Sequence, residues 1–254
     1  MSYLYNLLIF RPLYNGLVGI MDFVPGVDVG IAVIIFTIII RLILFPLSKS
    51  ALLTQVRMKE IEPEANKLKA QYANDKQTQA LKLMELYKER KVKPFSSILL
   101  LFVQLPILLA LISVFYKIIP SVQPELLYSF IDVPVAKATL LGLDLTRKSL
   151  ILALITGVIQ FLQLHYSVAA RQQQAFADKT LKDGGKLDTA SQLATSMNSQ
   201  MKYFLPIIAF ASVYWIIPAS FPQAAAIIAI YWSVSSLFTL GQEIYIKKRH
   251  LEKR

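Results

Sequence analysis

Gly30-Ile-Ala-Val-Ile-Ile-Phe-Thr-Ile-Ile-Ile-Arg41-Leu-Ile-Leu-Phe-Pro-Leu47 is an apolar run of 18 residues with a single charge, Arg41. As a helix it is long enough to cross a bilayer. A guanidinium keeps its proton at any accessible pH, so it cannot escape the cost of burial by neutralising. Near mid-bilayer that cost is about 3 kcal/mol on insertion scales. Charges at such depth usually face a partner or a polar cavity, which makes Arg41 a candidate functional residue. The plainer reading is an arginine that snorkels to nearby headgroups. The six apolar residues after it reach about 9 Å, so snorkelling is geometrically open to it.

The rest of the chain agrees with a membrane setting. Of 254 residues, 55% are hydrophobic, and the mean hydropathy is +0.51. That is too apolar for a soluble domain. There is no cysteine, which rules out disulfides, a thiol nucleophile, a cysteine-based metal site and an acylated cysteine. The two histidines, His165 and His250, are far apart and in no metal-binding spacing. No phosphate-binding glycine loop and no internal repeat is visible. No cofactor is implied. Residues 1–28 do not read as a cleaved leader: the one basic residue, Arg11, lies inside the apolar stretch. Tyr3, Leu7, Phe10, Tyr14, Leu17 and Ile20 recur at helical intervals, which predicts a helix lying in the extracytoplasmic interface.

Hydropathy predicts an all-α polytopic protein with five transmembrane helices: 29–48, 95–116, 149–167, 203–217 and 224–242. The fourth, at about 22 Å, is shorter than the ~30 Å hydrocarbon core, so local bilayer thinning is expected beside it. Segment 49–93 is polar, with interruptions at Pro63 and Asn74-Asp75, and predicts a helical hairpin. Leu52, Val56, Met58, Ile61, Leu68 and Tyr72 form a seam on one arm, facing Leu81, Met84, Leu86 and Tyr87 on the other. Residues 117–148 and 168–202 are loops, and 243–254 is a basic tail.

Basic residues orient these spans. Segments 49–93, 168–202 and 241–254 together hold 21 Lys and Arg, against 5 in the segments on the opposite side. The hairpin, second loop and C-terminus are therefore expected in the cytoplasm and the N-terminus outside, in a plasma membrane. Anionic lipid headgroups account for most of this net +11 charge. The tail residues Lys247, Lys248, Arg249, Lys253 and Arg254 also suit ribosomal RNA phosphates.

Polar residues form stripes on several spans. Gly30, Thr37, Arg41 and Ser48 fall within about 40° of one another on a helical wheel. Thr156, Gln160, Gln163 and Ser167 fall within about 60°. Trp232, Ser235, Ser236 and Thr239 share a face of the last span, and Gln104 lies mid-way along the second. Any one stripe is explained by interhelical hydrogen bonds. Together with Arg41 they favour a shared hydrated cavity. No span has an interior Asp or Glu, which argues against a proton pump. No nucleophile–base pair or paired carboxylates lie within the predicted spans, which argues against a hydrolytic enzyme.

In order along the chain come Thr37-Ile-Ile-Ile-Arg41-Leu-Ile-Leu-Phe-Pro46-Leu, Met58 and Pro63, Leu86-Tyr87-Lys88, Val92-Lys-Pro94, Gln104-Leu-Pro106-Ile107, Leu141-Gly-Leu-Asp144-Leu, Gly157-Val-Ile-Gln-Phe-Leu-Gln163 and Tyr231-Trp232. Over nearly the whole chain this series resembles the YidC family of membrane-protein insertases. The resemblance implies five helices around a hydrophilic groove open to the cytoplasm and lipid and closed outside. In that groove Arg41 would be joined by Thr37, Gln104, Trp232, Ser235, Ser236 and either Gln160 or Gln163. It implies a chaperone-like insertase with nascent membrane proteins as clients and a Sec-type translocon and the ribosome as partners. Three departures stand out. No large extracytoplasmic domain precedes the first span, no lipobox cysteine is available, and Pro218-Ala-Ser-Phe-Pro222-Gln-Ala-Ala-Ala replaces the family's short link between the last spans. The alternatives are an anion or organic-acid transporter with Arg41 as counter-ion, and a lipid-binding scaffold.

Overall fold

The computed structural model describes residues 3–24, 26–92, 96–118, 121–135, 137–166, 204–222 and 224–251. Ser167 and the whole of segment 168–202, expected to be a cytoplasmic loop, lie outside the described residues. The chain forms two compact units: Met1–Ile43 with Gln104–Gly241, and Leu44–Val103 with Gln242–Arg254.

In the first unit, α1 (Tyr3–Tyr5) leads through a π-helical turn, Asn6–Phe10, into α2 (Arg11–Phe23). Pro12 sits in the first turn of α2, where a missing N–H costs nothing. Tyr14, Leu17, Val18 and Met21 recur at helical spacing and are buried on one face. That face packs on α3 (Val29–Ile43). Gly16 permits the approach, since a Cβ there would lie 2.9 Å from Phe36 Cε2. Two buried side chains of α2 hold the loop at 121–131. Tyr14 Oη accepts from the Gln123 N–H at 2.7 Å. Asn15, 2% exposed, donates to the carbonyls of Arg11 and Leu126 and accepts from the Tyr128 N–H. A two-stranded antiparallel hairpin follows, β1 (Thr139–Leu140) and β2 (Leu143–Asp144), with Thr139 opposite Asp144.

The remaining helices of this unit are the C-terminal part of α6 (Ser96–Ile118), α7 (Leu150–Tyr166), α8 (Phe204–Ser220) and the first part of α9 (Ala225–Leu251). Residues 224–231 of α9 and its approach are buried on every side, as in a core helix. Gly157 brings α7 close to α8, because a Cβ there would sit 3.3 Å from Phe210 Cβ. A π-helical turn, Ser212–Ile216, interrupts α8. The described part of α8 continues past the expected end at 217 and still spans only about 25 Å.

In the second unit, α4 (Phe45–Gln71) and α5 (Lys76–Glu89) form the expected helical hairpin. Pro63 lies inside α4 rather than ending it. The turn is at Tyr72–Asp75, where Asp75 caps α5 by accepting from the Gln77 and Thr78 N–H groups. These bonds, the Thr78 ones foremost, hold the Asp75 carboxyl below its ordinary range. The cap is therefore intact above that range and weakens as pH falls through and below it. Ile61, Ala65, Leu86 and Val92 make the seam, with Met58, Leu68, Leu83 and Tyr87 beside them. Leu81 and Met84, expected in it, point outward, 61% and 66% exposed; Leu83 takes the inward register. Arg90 clamps Glu64 across the hairpin at 2.8 Å.

Large apolar side chains are exposed in stripes: Ile38, Ile39, Leu42 and Ile43 on α3, and Ile151, Leu154, Ile155, Val158 and Leu162 on α7. Water would oppose such continuous apolar surface, whereas lipid solvates it. Among the described residues, Ala225–Arg249 is by itself long and apolar enough to cross a membrane, and Val29–Ile43 with Phe45–Met58 pass that test together. Phe102–Ile118, Leu150–Tyr166 and Phe204–Ser220 are shorter apolar helices.

Because Asn15 satisfies three backbone groups of α2 and the loop only while it is in place, Asn15→Ala should be strongly destabilising. The expected loss is about 2–3 kcal/mol, since buried backbone groups are left unpaired. Detergent-solubilised protein should show a lowered Tm with unchanged helix content.

Candidate functional site

The candidate site is built from α3, α7 and those parts of α6 and α9 that lie within the first unit. Its best-defined part is the seam between α7 and α9. Thr156, fully buried, donates back to Leu152 O at 2.8 Å and lies 3.0 Å from Ser233 Oγ and 3.3 Å from Ala229 O on α9. One turn further along α7, Gln160 Oε1 accepts from Ser236 Oγ at 3.1 Å. Positions 156 and 160 are one turn apart on α7, and 233 and 236 are one turn apart on α9, so two rungs form along the same seam. Of the two glutamines, Gln160 makes this contact; Gln163 is half-buried one turn beyond.

A second connection runs between α6 and α9. Gln104 Nε2 donates to Tyr231 Oη at 3.0 Å, and the Tyr231 ring tilts against Phe115 with centroids 6.2 Å apart. The partner of Gln104 is thus Tyr231, whereas its neighbour Trp232 is half-buried. Ser235, one turn from Tyr231, is 3% exposed. Its Oγ has no hydrogen-bond partner among the described residues, while its carbonyl accepts from Thr239.

Arg41 is half-buried near the end of α3. None of the described residues forms a hydrogen bond or ion pair with its guanidinium, and Tyr231 is the ionisable side chain within electrostatic range. Thr37 shares its helix but not its setting. It is fully buried and donates to Val33 O at 2.6 Å. The first unit therefore brings Gln160 to Ser236 and Gln104 to Tyr231. Tyr231 and Ser233 are the polar residues that the stripe pattern did not select.

The basic residues near the C-terminus are elsewhere. Lys247, Lys248 and Arg249 are exposed on the last turns of α9, in the second unit, with Arg249 stacked 5.2 Å from the Tyr245 ring. Lys253 and Arg254 lie outside the described residues. In the same unit Gln242 Nε2 donates to Ser48 Oγ at 2.6 Å.

The sequence has known counterparts. A model of the 60Kd inner membrane protein family matches residues 20–253. The chain belongs to that family, the family of the YidC insertases. It is 31% identical over 252 residues to a membrane protein insertase YidC of Fusobacterium nucleatum subsp. nucleatum, covering 98% of this chain and 99% of that one. A YidC of Clostridium tetani is 29% identical, covering 98% and 95%. The YidC of Francisella tularensis subsp. novicida is 27% identical over 88% of this chain, a match that takes in 33% of that longer protein. Membership makes this an inner-membrane protein and ties it to membrane-protein insertion.

The α7–α9 seam yields a direct expectation. Thr156→Val keeps the shape and removes the hydroxyl that Ser233 faces. Stability in detergent should fall by about 1 kcal/mol, the scale of interhelical hydrogen bonds in membranes. Adding Ser233→Ala should recover part of that loss, because the orphaned hydroxyl is gone.

Proposed function

We propose that this chain inserts newly made membrane proteins by receiving their polar tails in a hydrophilic groove centred on Arg41. The observation that carries this reading is a permanently charged guanidinium, on an otherwise apolar helix, without an ion-pair or hydrogen-bond partner among the described residues. Such a charge is suited to transient attraction of acidic groups that come from outside the protein. Gln104, Gln160, Trp232, Ser235 and Ser236 would line the groove with it, and Tyr231 joins them. Of the two candidate glutamines, Gln160 is favoured by its bond to Ser236. Thr37 would act as a buried neighbour of Arg41 rather than as a lining group.

In this reading five helices span the membrane, with the N-terminus outside and the groove open to the cytoplasm. Dragging a tail through hydrocarbon would strand its backbone N–H and C=O groups without partners. A hydrated half-channel shortens that path. The apolar segment behind the tail then leaves for lipid, driven by ~25 cal/mol per Å² of apolar surface removed from water. The reaction makes and breaks no covalent bond, so no catalytic residue or cofactor is needed. The basic end of α9 would lie against anionic lipids or ribosomal RNA, and a Sec-type translocon is a candidate partner by family resemblance.

Liposomes containing only this protein test the reading. A single-span substrate with an acidic translocated tail should insert. Arg41→Ala should slow that insertion about tenfold or more, as expected for loss of one charge-assisted interaction of about 1.5–3 kcal/mol. Arg41→Lys should keep most of the rate, because charge matters more here than bidentate geometry. Insertion by Arg41→Ala at the parent rate would refute the electrostatic role. Anion flux without insertion would favour a transporter.

A further inference from the structure

Asp28 stands outside the groove, and both of its carboxylate oxygens are engaged. Oδ1 accepts from the Ile31 N–H at 3.0 Å, capping α3. Oδ2 accepts from Thr139 Oγ1 at 3.3 Å and from the Leu141 N–H at 3.2 Å, both in the β1–β2 hairpin more than 100 residues away. The Val29 N–H adds a bond to Lys137 O at 3.0 Å. Gly30 makes the seat, since a Cβ there would lie 2.5 Å from Leu140 Cβ and 2.9 Å from Thr139 O.

The turn held this way is strained. Leu141 has φ 49° and Gly142 φ 86°. Two positive φ values are what a two-residue type I′ turn requires, and Asn-Gly or Gly-Gly meets that need at little cost. A leucine at the first position does not, and its side chain stands 88% exposed. Such backbone persists only where its surroundings hold it. The group that holds Leu141 is Asp28, through the Leu141 N–H itself. Beneath the turn, Leu145 is fully buried, with its N–H bonded to Ala138 O at 2.9 Å.

We infer that Asp28 is a latch: its carboxylate holds the 137–145 hairpin, in a strained turn, down on the N-terminal end of the helix that carries Arg41, keeping that end closed. Strain in the turn favours release and the latch opposes it, so loss of the carboxylate bonds would free the hairpin. Asp28 and Arg41 stand on one helix about 20 Å apart, so a load on the arginine reaches the latch through a single rigid element. The placement of this end outside the cytoplasm rests on the orientation proposed above.

Asp28→Asn separates latch from cap. An asparagine caps a helix as well as an aspartate does, but its Nδ2 cannot accept from the Leu141 N–H. Gly30→Ala, which lifts the hairpin sterically, is the independent second variant. The chain has no cysteine, so Leu145→Cys supplies a single buried reporter. In sealed vesicles of known orientation, a membrane-impermeant maleimide added outside should label that reporter slowly in the parent. Labelling should be about tenfold faster in both variants, in proportion to the hydrogen bonds lost. Exchange of the Leu141 amide should rise in parallel, and encapsulated chloride should leak faster. Equal labelling and equal Leu141 exchange in parent and variants would overturn the latch while leaving the insertase reading intact. Labelling only from the cytoplasmic side would overturn the orientation, and the outward closure with it.

Discussion

A guanidinium on an apolar helix, with no carboxylate inside any of the predicted spans, is the constraint around which this molecule is organised. Arg41 cannot neutralise, and among the described residues it has no ion-pair partner. In the groove proposed above, Gln104, Gln160, Ser235 and Ser236 would supply amide and hydroxyl groups instead. These can solvate a charge or hold water without cancelling it. A buried ion pair would have locked the arginine into a structural role. Neutral polar groups leave its field available to whatever enters.

The apolar framework complements that polar interior. Stripes of leucine, isoleucine and valine face outward on α3 and α7, while glycines and small polar residues face inward. In lipid there is no hydrophobic force to pack helices, so close approach and hydrogen bonds must do it. Gly157 against Phe210 and Thr156 against Ser233 are those two devices on adjacent residues of one helix. The same face then carries Gln160 to Ser236, so packing and polarity are supplied by a single seam. Family membership ties the chain to membrane-protein insertion, and in the reading proposed above this seam lines a polar path.

Much of this was legible because hydropathy and charge act over long windows. The apolar stretches, the helical hairpin and the buried face at Phe10, Tyr14 and Leu17 follow from periodicity alone, while Met21 is buried where Ile20 was expected. What failed was register at the level of one residue. Periodicity put Leu81 and Met84 in the hairpin seam, and the fold put Leu83 there, because two arms of a short coil can slide by a fraction of a turn at little cost. The pairing of Gln104 with Tyr231, beside the selected Trp232, was not legible for a similar reason. Adjacent aromatic residues differ by 100°, and only the bond to Gln104 fixes which one turns toward α6. Asp28 was invisible as a latch since its partners are more than 100 residues away and two strands of two residues leave no pattern.

The central claim is that water reaches the polar face around Arg41, and thiol accessibility measures this most directly. Single cysteines replace Gln160 and Ser235 on the polar seam, and Ile39 and Leu154 on the exposed apolar stripes, in membranes containing the otherwise cysteine-free chain. A small charged thiol reagent is then added from the cytoplasmic side. The account predicts fast labelling at 160 and 235 and negligible labelling at 39 and 154, because thiolate forms and meets the reagent only in water. Protection of all four positions would mean a dry helix bundle, and would contradict a hydrated groove at Arg41.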